Sequence, residues 1–236
     1  MPDFSIRSTA IEIMDDLDCS GEVVDQTLRE LEFINAWLGG NHVTIDALKK
    51  LLKNVRSTRQ IVIADLGCGG GDMLRLIHQW ARKNKVDVKL VGIDANPNII
   101  RFARENQKDF PEIGFLSMDI FSEEFRTMRF DVVIGTLFYH HFSNHQLSTF
   151  FSQLKKQVDV GFIINDIHRH SLAYHSIRFL TQLFSKSAMV KYDAPLSVLR
   201  AFTKTELTDI MREATITDFV IYWKWAFRWQ VIAKLH

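Results

Sequence analysis

The 236-residue chain reads as an α/β protein built on a mostly parallel sheet of seven strands, with helices on both faces. Three observations predict this. From residue 61 onward, short β-rich runs alternate with stretches of helical spacing, the pattern of βαβ units. The first run, Ile61-Val-Ile-Ala-Asp65-Leu, leads into a loop with glycine at 67, 69 and 71, and a helical pattern follows. The last twenty residues hold two more β-rich runs around a tight turn near Lys224, which predicts a closing antiparallel hairpin.

Residues 1–58 read as an N-terminal helical cap. Leu28, Leu31, Ile34 and Leu38 recur at helical spacing, and Gly39-Gly40 stops that helix. Thr44 reads as the N-cap of a short helix over 45–54. Strands follow at about 61–65, 88–93, 113–118, 130–135 and 159–166, with helices at about 71–84, 96–109 and 144–156 between them. Residues 167–204 break this rhythm and read as a helical insertion into the domain spanning 59–236. A helix over about 204–214 precedes the hairpin runs at about 216–223 and 226–234, where Trp223, Trp225 and Trp229 read as sheet packing.

A net charge of +1 gives no general drive toward nucleic acid. Cys19 and Cys68 are too few for a disulfide framework, so a reducing, cytoplasmic setting is expected. The opening residues lack a secretory hydrophobic core, and no apolar run reaches the ~18 residues of a membrane helix. Stable membrane insertion is therefore not expected. Between Glu12 and Glu32 there are eight acidic residues and one basic one, Arg29. Residues 167–204 hold six Lys/Arg and three His against Asp193 alone.

The glycine loop separates two cofactor classes. The dinucleotide pattern G-x-G-x-x-G, started at Gly67, requires glycine at 72, where this chain has Asp72. Asp94 ends the second strand and suits the two hydroxyls of a ribose. Asp119 follows the third and suits the exocyclic amine of an adenine. No Lys or Arg occurs from 61 to 74, so a pyrophosphate would find no compensating charge, whereas a ligand with a net positive charge would be matched.

Asp65 with its glycine loop, Asp94 and Asp119 together resemble motifs I, II and III of the class I methyltransferases that use S-adenosylmethionine and release S-adenosylhomocysteine. The resemblance covers roughly residues 60–166 and implies a Rossmann-like fold. It implies that Gly67, Cys68 and Gly69 line the methionine part of the cofactor. Asp94 would hold the ribose, and Asp119 and Ile120 would flank the adenine; Asp65, Ala95 and Thr136 complete the implied site. The fourth strand, Phe130 to Gly135, runs on into Thr-Leu-Phe-Tyr-His140-His141 and looks like motif IV of small-molecule members, including the ubiquinone/menaquinone-biosynthesis type. Segments at the places of the acidic first helices and of 167–204 form a lid in such enzymes; their opposite charges favour an approach, and residues 1–40 and 167–204 are expected to meet over the cofactor mouth.

The catalytic expectation is His140 as a base, with Asp166 orienting it and His168 as an alternative base. Asp166, His168 and His170 lack a familiar zinc spacing, so no metal is expected. Ile177, Phe179, Leu180, Leu183 and Phe184 suit an apolar or aromatic small-molecule acceptor, first of all a phenolic oxygen; the same mix of residues also suits contact with a membrane surface. The Asn-Pro-Pro-Tyr of base and glutamine N-methylation is absent, which argues against nucleic-acid and protein acceptors. C-methylation of a quinone precursor, N-methylation of a small amine, and a binding module without catalysis are the rival readings, with an NAD-dependent dehydrogenase behind them.

Overall fold

The computed structural model describes residues 2–55 and 59–235. The expected boundary between cap and domain, at 58, lies outside the described residues. Seven strands form one sheet in the order β3-β2-β1-β4-β5-β7-β6. They are β1 (Ile61–Leu66), β2 (Val88–Asp94), β3 (Ile113–Ser117), β4 (Phe130–Thr136), β5 (Val158–Ile167), β6 (Phe219–Lys224) and β7 (Arg228–Lys234). The first five pair in parallel, and β7 runs antiparallel to both β5 and β6.

Alternation along the central strands explains the two covered faces. Ile61 and Ile63 point into one core cluster with Val132, Ile134, Ile163 and Ile232. Ala64 and Leu66 point into the other, with Val133, Phe162, Ile164 and Val231. The first face is covered by α2 (Gly40–Leu52), α3 (Asp72–Asn84) and α4 (Pro97–Asn106). The second carries α5 (Glu123–Thr127), α6 (Asn144–Gln157) and α9 (Lys204–Glu213). Phe125, Phe150, Phe151 and Phe162 are fully buried on that side. Each contributes about 1.5–3 kcal/mol from burial alone. Local signals start the helices. Ser143 with Gln146 and Thr203 with Glu206 form reciprocal capping boxes at α6 and α9. The Asn96 side chain accepts the Asn98 amide, and Pro97 opens α4.

The first 55 residues do not act as one cap. Helix α2 begins at Gly40, one residue after left-handed Gly39, and buries Ala47, Leu48 and Leu51 against the sheet. Thr44 is therefore inside α2 and not its N-cap; its hydroxyl bonds to Thr136 Oγ1 at 2.9 Å and accepts from Asn165 at 2.8 Å. Only the chain before α2, a 3-10 turn (Ile13–Asp15) and α1 (Glu22–Trp37), rises beyond the carboxyl ends of the strands. The segment after β5 forms α7 (Ser171–Phe184) and α8 (Ala188–Arg200). These two regions meet. The Ile13 and Met14 amides donate to Asp193 at 2.8 and 3.1 Å, Arg200 pairs with Asp15, and Thr27 bonds to Ser187 at 2.7 Å. The contact runs through specific groups, Asp193, Arg200 and Arg169, which donates to the Phe4 and Ser5 carbonyls at 3.0 and 3.3 Å, and not through bulk charge attraction; Arg178 and Lys186 are exposed. No helix among the described residues is long and apolar enough to cross a membrane.

Candidate active site

Strand order reverses between β1 and β4, and a cavity of about 1080 Å³ opens beyond the carboxyl ends there. This is where open α/β sheets bind ligands. The loop after β1 forms its floor. Gly67, Gly69 and Gly71 all have positive φ, at 64°, 50° and 76°. At Gly67 the strand must also leave room for the Phe138 ring, which a Cβ would overlap. Cys68 is buried beside Gly92, and burial pushes its thiol well above the ordinary value, so it packs as a small apolar group.

Three strand-end carboxylates face the same space. Asp65 is 2 % exposed, and its Oδ1 has no hydrogen-bond partner among the described residues. Burial, then Asp72 and Asp94, push its pKa well above the usual range. Asp94 is also raised by burial, although it accepts the Asn96 amide at 3.0 Å. Asp119 is exposed and accepts the Phe121 amide at 2.9 Å. Ala95, Ile120 and Thr136 line the cavity with these residues and with Gly67, Cys68 and Gly69.

The other end of the cavity is built by the turn after β4. A second 3-10 turn (Tyr139–His141) buries His140 and leaves His141 partly exposed. His140 Nδ1 lies 2.7 Å from Asp166 Oδ1, and the His140 amide donates to Oδ2 at 3.1 Å. Burial works against the Asp166 charge, but His140 brings the carboxyl below its ordinary pKa. An ionised Asp166 fixes the proton on Nδ1 and leaves the Nε2 lone pair toward the cavity. Asp166 itself is fully buried behind the imidazole and does not line the cavity.

His168 is not brought to this site. Its ring lies 4.7 Å from that of Trp229, and Nδ1 accepts from Trp223 Nε1 at 3.3 Å. β5 ends at Ile167, and His168 beyond it is held by its amide on the Phe227 carbonyl at 2.8 Å and by a bridge to Phe202, with its ring against the hairpin. Burial, with His170 and Arg169, lowers its pKa. The tryptophans divide as well. Trp229 is buried in the sheet, while Trp225 is 69 % exposed at the hairpin turn and lines the cavity mouth.

Several polar residues here escaped the sequence reading. Glu12 is 4 % exposed; Ser197 donates to its Oε2 at 2.9 Å, and its Oε1 lies 3.7 Å from His140 Nε2 and 3.6 Å from Arg200 Nη1. Burial pushes Glu12 up to about 7. His141 Nδ1 bonds to Asp15 at 2.6 Å, and despite burial His141 and Arg200 hold that carboxyl well below the usual range. Glu12, His140 and His141 each bring one ligand-capable atom within 4.8 Å of the others. Arg228, lowered by burial to about 10, links Asn35 at 2.8 Å and Asn165 at 3.2 Å. Glu12 and Arg228 sit in segments with no strand–loop–helix signal, and only the fold brings them to the strand ends.

Comparison with known proteins bears on this geometry. Residues 63–161, from β1 into β5, match the family model described as a methyltransferase domain. A carboxy-S-adenosyl-L-methionine synthase of Helicobacter pylori is 35% identical over 65 residues, 28% of this chain and 26% of that protein. A second, from another strain, is 32% identical over 80 residues, 33% and 32% of the two chains. The chain thus spans about a quarter to a third of the length of the curated relatives it matches. Human N-acetylserotonin methyltransferase in complex with S-adenosylmethionine superposes with a TM-score of 0.62 at 16% identity, over 89% of this chain and 55% of that one. The plantazolicin methyltransferase BpumL, in complex with a triazolic desmethylPZN analogue and S-adenosylhomocysteine, gives 0.62 at 18% identity, over 84% and 73%. At such identities these structures speak for the fold. The matched stretch supplies the glycine loop and the three carboxylates, and the segments outside it supply Glu12, Arg200 and Arg228.

Proposed function

We propose that this chain transfers a methyl group from S-adenosylmethionine to a small, partly apolar acceptor, with a phenolic oxygen as the first choice. The observation that carries the reading is the Asp65 carboxylate. It is buried at the end of β1, one oxygen lacks a partner, and it faces a cavity whose adjacent loop has no Lys or Arg. A buried, unpartnered anion is costly unless a cation or donor meets it. A ligand with an ammonium and a sulfonium meets that need, and a pyrophosphate does not. In this reading Asp94 takes the ribose hydroxyls, and Asp119 and Ile120 flank the adenine. The family match over residues 63–161 supports the same ligand, as does the S-adenosylmethionine chemistry in the relatives' name.

When bound, S-adenosylmethionine supplies an electrophilic methyl on a sulfonium. The chain's own part is to hold the acceptor, exclude water and take a proton. Leu31, Ile34, Leu38, Ile177 and Leu180 give the cavity an apolar wall for the acceptor's body. His140 Nε2 takes the hydroxyl proton, and the resulting imidazolium is stabilised by Asp166 at 2.7 Å from Nδ1. Positioning of the acceptor oxygen supplies much of the acceleration.

Calorimetry tests the cofactor half. S-adenosylhomocysteine is expected to bind and NAD is not. Asp94→Ala is expected to weaken that binding by about 1–3 kcal/mol, the cost of losing hydrogen bonds to a charged acceptor. Equal affinity in wild type and Asp94→Ala would remove Asp94 from the site.

A further inference from the structure

Glu12 brings a second polar group to the acceptor end, from a segment far outside the matched domain. Its carboxyl is 4 % exposed, and Ser197 occupies only Oε2. Oε1 is buried, lines the cavity with its residue, and has no hydrogen-bond partner among the described residues. Arg200 Nη1, at 3.6 Å, is beyond hydrogen-bond reach, because Arg200 is engaged by Asp15 and by the His141 carbonyl at 2.7 Å. His140 Nε2, at 3.7 Å, is itself a lone-pair acceptor once Nδ1 carries the proton. With Glu12 ionised, above its pKa of about 7, two acceptors therefore stand side by side in the cavity wall with no donor between them.

Such a pair is unsatisfied until something with two donors arrives. An oxygen with one hydrogen serves one of them and leaves the other buried and bare, at a substantial cost. Hydroxyls on adjacent ring carbons serve both, with one O–H to Nε2 and the neighbouring O–H to Oε1. We infer that Glu12 is a specificity-determining residue that selects acceptors carrying a second hydroxyl next to the one deprotonated by His140, that is, catechol-type rings over simple phenols. This rests on the methyl-transfer reading for its meaning, but the recognition is a binding property and is measured without turnover.

The same pair, with His141, is also spaced for a cation, which gives the rival account of the bare oxygen. In that account both imidazoles present Nε2 to the metal, with Asp166 and Asp15 behind them. Arg200 beside Glu12 disfavours it, since it places a fixed positive charge against the carboxylate ligand.

The test uses the full chain saturated with S-adenosylhomocysteine, in EDTA and with ascorbate to prevent oxidation. Binding of 4-butylcatechol and of 4-butylphenol is measured by calorimetry. The wild type is expected to prefer the catechol by about 10- to 100-fold, the scale of one hydrogen bond to a charged group. Glu12→Met, which keeps the volume and removes both oxygens, is expected to bind the two probes equally. Equal binding by the wild type overturns the inference, and that result needs no variant to fold. A parallel titration with zinc alone, without EDTA, decides the rival. Stoichiometric binding lost in Glu12→Met would make the carboxylate a metal ligand and overturn the inference. Should the catechol preference hold while no labelled methyl reaches either probe, the methyl-transfer reading fails and the selectivity stands.

Discussion

Asp65 and Glu12 are both carboxylates with one oxygen buried and without a hydrogen-bond partner among the described residues. For Asp65 the consequence is a trade between stability and binding. Asp65→Asn is expected to stabilise the ligand-free protein, because it removes a buried charge beside Asp72 and Asp94. The same change is expected to weaken S-adenosylhomocysteine by about 1–3 kcal/mol. Thermal unfolding with and without ligand reads both effects, and a variant less stable in both states would contradict the assignment. For Glu12 the consequence is a pH dependence. Its pKa rises from the ordinary 4.5 to about 7, so the folded chain holds that proton more tightly than the unfolded chain. The associated stability is full below about pH 4.5 and is lost as pH rises through about 7, on the order of 2–3 kcal/mol. Asp72, raised to about 6, acts in the same direction, so the comparison must be made with Glu12→Gln. Urea unfolding at pH 5 and pH 7.5 should show a smaller loss in that variant, and parallel profiles would contradict the burial argument. Tyr139 gives a simpler case. Its hydroxyl is fully buried without a partner among the described residues, so Tyr139→Phe is expected to stabilise by about 1 kcal/mol. The strand-end residues were legible because a carboxylate after a β-run is placed by the strand itself. Glu12 was not, because nothing local in residues 8–20 fixes where that segment runs.

At the scale of elements, the parallel strands were read to within about two residues, since alternating apolar positions flanked by glycine or aspartate leave little choice. The errors fall where tertiary contacts decide. Helix α2 starts at glycine and not at Thr44, because burying Ala47 and Leu48 against β5 and β7 sets its frame. Helix α5 is five residues long and left no periodic signal. His168 was grouped with Asp166 by proximity in sequence, yet it lies past the end of β5, where the bridge to Phe202 leaves its ring on Trp229. The join between the 3-10 turn at residues 13–15 and α8 is where one side chain does most: Asp193 accepts two amides at 2.8 and 3.1 Å. Asp193→Ala leaves both without that acceptor and is expected to cost about 1–3 kcal/mol. It should also release Glu12 from its place. Faster amide exchange at Ile13 and Met14, with weaker acceptor binding, is the expected result; unchanged exchange would show that other contacts hold the turn.

Across the whole molecule, the sheet presents one half of a cavity and the flanking segments close the other. The strand ends contribute Asp65, Asp94 and Asp119 to one side, and the turn after β4 contributes His140 to the other. The chain order of these parts was readable from motif spacing. The meeting of residues 12–15 with 193–200 depends on side chains that find each other only after the sheet forms. The proposed reading makes separable demands of the two halves: binding of the cofactor by the carboxylate half, and movement of a proton by the His140 half. The most direct measurement is a single-turnover transfer of labelled methyl from S-adenosylmethionine to 4-butylcatechol, in wild type and His140→Ala, with cofactor affinity measured alongside. The account expects the variant to transfer about 10²–10⁴-fold more slowly, with cofactor affinity within about twofold of wild type. An unchanged rate, or a rate lost only because the cofactor no longer binds, would contradict it.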